Sequence, residues 1–154
     1  MSHMRIEARD GRTALEPGGT VEGTASWSLD GAPSGVSLLL CWYTRGKGTE
    51  DVRVVERVRL EGAGREDRRD FRFTLPRTPW SFSGTLVSVC WAVELVVEPG
   101  PESTRLEITV APGGKEVVLP ADVPQKDEDP GAARGKGGFL RALFGSPVRR
   151  PGER

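Results

Sequence analysis

The chain has 154 residues, 36% of them hydrophobic, with Lys plus Arg matching Asp plus Glu at 22 each. That length allows one domain with its own core, and the low apolar share leaves part of the chain outside it. The charge balance gives no field to draw nucleic acid, and no apolar run nears the roughly 20 residues that a bilayer span requires.

The opening MSHM makes residues 1–3 read as a cloning remnant, with Met4 as the native start; His3, the only histidine, lies in it. A body without histidine lacks the commonest general base and metal ligand. No apolar leader follows, so the expected location is the cytoplasm.

Residues 4–9 predict a short strand, and DGRTALEPGG (10–19) predicts a turn. Val21, Gly23, Ala25, Trp27 and Leu29 then alternate with Glu22, Thr24, Ser26 and Ser28, the pattern of a half-buried strand. After DGAPSG, residues 36–43 are apolar on both faces, as suits a central strand. Across 52–60, Val52, Val54, Val58 and Leu60 fall on one face; Arg53, Val55, Arg57 and Arg59 fall on the other. A loop, EGAGRED (61–67), precedes Phe71, Phe73 and Leu75 on a common face.

The longest signal lies in 87–97. Val87, Val89, Trp91, Val93, Leu95 and Val97 oppose Ser88, Cys90, Ala92 and Glu94, which predicts an antiparallel strand buried on one side. Leu106, Ile108 and Val110 alternate with Arg105, Glu107 and Thr109 as a last full strand, and 116–119 adds a short piece to an edge. Seven or so strands and no convincing helix before 120 predict an all-β fold: a two-sheet antiparallel, immunoglobulin-like sandwich over residues 4–120.

Composition changes at Pro120. Residues 121–138 are polar and rich in Pro and Gly, which predicts a disordered linker. Residues 139–154 form a short basic tail in which Phe139, Leu140, Leu143 and Phe144 have the spacing of one helical face. That face is the leading partner-binding candidate. It can dock into a partner's groove or fold back on the sandwich; shallow membrane insertion ranks behind.

Chemistry is sparse. No nucleophile can be paired with a base, and there is no Gly-x-Ser-x-Gly elbow. Cys41 and Cys90 cannot make a zinc site alone, and free thiols opposite the main apolar row are expected of them. GAARGKGG (131–138) is one residue short of a phosphate loop and lacks its Ser or Thr. Asp127, Glu128 and Asp129 are too few for a calcium loop. No catalytic residue, cofactor or metal is therefore assigned, and a non-enzyme is expected. Arg53, Arg57, Arg59, Arg68, Arg69 and Arg72 form a basic strip only if their strands pair; a solvated face neutralised by nearby acids is favoured. Trp27, Trp42 and Trp91 belong to the core, whereas Trp80, in the turn after Pro79, either caps the sandwich or stands out as a contact residue.

Three pieces resemble the arrestin-like fold family, in particular a single arrestin N-terminal-type domain of bacterial type. They are EPGGTVEGTASW (16–27), Phe71-x-Phe-x-Leu-Pro76, and PWSFSGTLVSVCWAVEL (79–95), whose Pro-x-Ser-Phe-x-Gly turn precedes a long strand. The likeness covers about 4–120. It implies an arrestin-like sandwich and an adaptor or regulatory role, not an enzyme. Arrestins have two such domains, and this chain has room for one. No buried charged cluster of the kind that senses phosphate is visible, so that property is not carried over. The expected function is a non-catalytic protein–protein interaction module that binds a protein partner through sheet edges and the tethered tail. The alternative is a membrane-surface protein anchored by its basic amphipathic end.

Overall fold

The computed structural model describes residues 1–46, 48, 50–100 and 102–118; the tail motif Phe139, Leu140, Leu143 and Phe144 lies outside them. Ten strands and two 3₁₀ turns make up the described chain. They are β1 (His3–Ala8), β2 (Ala14–Leu15), β3 (Thr20–Ser28), β4 (Gly35–Gly46), β5 (Val52–Arg59), β6 (Glu66–Thr74), β7 (Phe82–Ser83), β8 (Val87–Glu98), β9 (Glu102–Val110) and β10 (Val117–Val118). The seven long strands answer to the seven expected, while β2 and β7 form within stretches that read as turns.

The strands make two sheets. A small one runs β1-β3-β6, antiparallel throughout. In the large one β4 lies between β5 and β8. The other side of β8 takes β9 along Trp91–Val97 and β7 at Val89. Parallel two-residue pairings add β2 to β9 and β10 to β7.

The core fills the space between the sheets. Val21, Ala25, Trp27 and Leu29 face Val36, Leu38 and Leu40, and Phe71, Phe73 and Leu75 join Trp91, Val93, Leu95, Val97, Ile108 and Val110. Alternation places these residues inward because each strand presents every second side chain to one face. The buried indoles keep their N–H groups satisfied: Trp27 donates to the Gly64 carbonyl at 2.9 Å and Trp91 to the Pro79 carbonyl at 3.0 Å. Gly23 is required by a close approach, since a Cβ there would lie 2.1 Å from the Glu7 carbonyl oxygen and 2.7 Å from Phe71 Cζ.

Three expectations are corrected. Strand β6 begins at Glu66, inside the stretch read as loop, because Arg68, Arg69 and Asp67 pair in register with Ser26, Ala25 and Trp27. On β5 the pairing jumps between Leu40 and Cys41, so that Glu56 faces Leu40 and Val54 faces Cys41. Val55 is the extra residue of a β-bulge. The bulge moves Val52 and Val54 to the outer face with Arg57 and Arg59, away from Val58 and Leu60, so the single valine face does not exist. Third, β8 is buried on both sides rather than one: Ala92, Glu94 and Val96 on its outer row are buried as fully as the inner one.

Candidate interaction surfaces

Strand β5 ends the large sheet, with β4 on one side and no described strand on the other. Seven of its eight residues are exposed, and Val54 and Val55 each keep 42% of their surface accessible, with Val58 at 39%. The arginines do not form one strip, because β5 and β6 lie in different sheets. Most are engaged locally: Arg57 with Glu98 at 3.6 Å, Arg69 with Asp67 at 2.9 Å and Arg72 with Glu22 at 3.2 Å. Arg59 donates to the Ser34 carbonyl at 3.2 Å. The neutralised reading of these rows is the one the geometry supports.

On the outer side of the small sheet, a trough of about 600 Å³ runs over Gly23 between Glu7, Arg9, Glu22, Asp70 and Arg72. Its charges pair among themselves, Arg9 with Glu22 at 2.8 Å, and Thr24 donates to Asp70 at 2.9 Å. The Arg9 hydrogen bond holds the Glu22 carboxyl below its ordinary range. This self-compensation leaves the trough without an evident demand for a ligand.

The outer face of the large sheet carries a group of polar side chains that sequence reasoning missed. Tyr43 on β4 donates its hydroxyl hydrogen to Glu107 Oε1 on β9 at 2.5 Å. Arg45 donates to the same carboxylate at 2.9 Å and to the Tyr43 oxygen at 3.1 Å. Arg105 lies over the Tyr43 ring, 5.0 Å from its centre, a cation–π arrangement. Burial and the Glu107 hydrogen bond push the Tyr43 hydroxyl well above its usual range, and Tyr43 and Arg45 hold Glu107 low. Glu94, 1% exposed, sits two residues from Ala92 on the same row. Burial raises its carboxyl to about 7, against a hydrogen bond from Ser103 and the charge of Arg105. These residues come from strands some sixty positions apart, and only the β4-β8-β9 register joins them.

Both cysteines lie on this face as free thiols, as expected. Burial is the first cause of Cys41 being raised to about 12, and Cys90 is raised for the same reason. Neither thiol is primed as a nucleophile.

Trp80 stands out of the sandwich rather than capping it. It is 45% exposed, with its indole N–H donated to the Arg77 carbonyl at 2.9 Å. Leu86, Val87, Val117 and Val118 are also exposed, where β7 and β10 extend the large sheet. Among the described residues there is no cluster of His, Cys, Asp or Glu able to hold a metal ion, and no helix long and apolar enough to cross a membrane.

Comparison with known proteins bears on the fold. The structure of Spo0M, a sporulation control protein from Bacillus subtilis, matches with a TM-score of 0.51 and 21% sequence identity, over 71% of this chain and 49% of that one. The fold is arrestin-like. This chain spans about half the length of that similar protein. No protein-family model and no curated protein sequence matches it.

Proposed function

We propose that this chain is a non-catalytic, cytoplasmic adaptor or regulatory module that takes an extended segment of a partner protein along the free edge of β5. The observation that carries the proposal is the edge itself: eight residues, one side without a described neighbour, and valines left 39–42% exposed. Edge strands expose N–H and C=O groups that a partner strand can complete, while alternate side chains supply selectivity. The arrestin-like fold shared with a protein named for sporulation control supports a regulatory role. The raised thiols and a body without histidine past β1 support a non-catalytic one. Trp80 and the tail residues Phe139, Leu140, Leu143 and Phe144 supply further contact surface.

The test compares full-length chains as bait in extract, with Val54→Lys plus Val55→Lys on the edge and Phe139→Asp in the tail. Loss of the captured partner in the edge variant, with an unchanged melting temperature, is the expected result. The same partners captured by the edge variant as by wild type remove the β5 assignment.

A further inference from the structure

The outer face of the large sheet poses a problem of burial. Leu39 is 3% exposed and Val96 1%, and Ser37, Cys41, Ala92 and Glu94 are buried beside them. The small sheet covers the opposite side. Among the described residues, the apolar neighbours of the cluster Cys41, Tyr43 and Ala92 are Val52 and Cys90 in the same sheet, and Arg105 lies over the Tyr43 ring. Leu39 and Val96 belong neither to that cluster nor to the inter-sheet core. The flanking arginines are engaged at the rim, Arg45 with Glu107 and Arg57 with Glu98. An apolar row this deeply buried on the outside of a sheet needs a cover, and the burial arises within a single chain.

We propose that the run 139–144 of this same chain docks on the outer face of the large sheet, across Leu39, Cys41, Ala92 and Val96. Two observations favour this occupant. First, β10 ends at Val118 in the large sheet itself, and 20 residues, 119–138, separate it from the run. Fully extended, such a connection reaches roughly 66 Å. Five strands side by side span only about 24 Å. Second, Phe139, Leu140, Leu143 and Phe144 are the one cluster of large apolar residues after Leu119. Tethering makes the docking intramolecular, so a small apolar face suffices. It also keeps the tail's partner-binding surface occupied until something displaces it. The inference holds whether or not β5 takes a partner strand.

Cys41 and Cys90, the only cysteines, lie on the covered face and report on it directly. The experiment measures modification of the native full-length chain by a thiol reagent for wild type, Phe139→Asp plus Leu143→Asp, Leu140→Asp plus Phe144→Asp, and Arg149→Asp as a control outside the run. The expected result is a rate roughly tenfold higher in the first two variants, equal to wild type in the control, and independent of protein concentration. An unchanged rate in either of the first two variants overturns the docking. Wild-type protection that grows with protein concentration also overturns it, because the cover then comes from a second copy. None of these readouts involves the β5 edge, so this inference and the proposed function fail separately.

Discussion

Single side chains in this protein carry consequences that alternation alone does not show. Glu94 reads as one of the polar residues on the solvent side of β8, yet it is buried and its carboxyl is raised from 4.5 to about 7. Because the folded value lies above the unfolded one, the folded protein binds the extra proton. The stability this confers is complete below about pH 4.5 and is lost as pH rises through 7. Wild type should lose on the order of 2–3 kcal/mol across that window from this group. Glu94→Gln should flatten that part of the curve, which urea titrations at pH 4.5, 6 and 7.5 measure. Gly23 is equally constrained. A Cβ at this position meets backbone and an aromatic ring, so Gly23→Ala should cost about 1–3 kcal/mol, read as a lower urea midpoint at constant slope. Both residues are legible as types in the sequence; what surrounds them is not.

At the scale of the strand, β5 shows how one extra residue rewrites a face. The sequence pattern groups Val52, Val54 and Val58, and the bulge at Val55 separates them. Since Val55 opposes no residue of β4, deleting it should restore regular pairing and leave every other side chain on its present face. The cost should stay within about 1 kcal/mol. Deleting Val58 instead sends part of the strand to the wrong face and should destabilise by several-fold more. Thermal melts of the two deletions decide the point, and equal losses would mean that Val55 is not the bulged residue. The bulge was not legible because it is a property of the β4–β5 pairing, which alternation within β5 does not report. By contrast, β3, β8 and β9 were read correctly along their inner rows apart from Val87, which is exposed, since a long inward series such as Val89, Trp91, Val93, Leu95 and Val97 leaves no other register that buries it.

For the whole molecule, one core joins both sheets, with Trp27 and Trp91 inside it and Trp42 packed against it. Near-ultraviolet and far-ultraviolet unfolding curves should therefore coincide, and Trp91→Ala should lower stability by about 3–5 kcal/mol while keeping them coincident. Curves that separate would show the sheets unfolding independently. The two-sheet sandwich, its inner rows and the change of character at Pro120 were all decided by local order along the chain, because period-two burial and turn chemistry are properties of neighbouring residues. The pairing of β5 with β4 and of β6 with β3, the exposure of Trp80, and the meeting of Tyr43, Arg45, Arg105 and Glu107 beside Glu94 were decided only by tertiary structure. Those depend on which strands lie side by side, and side-chain alternation within a strand states which way a residue points without stating what it meets.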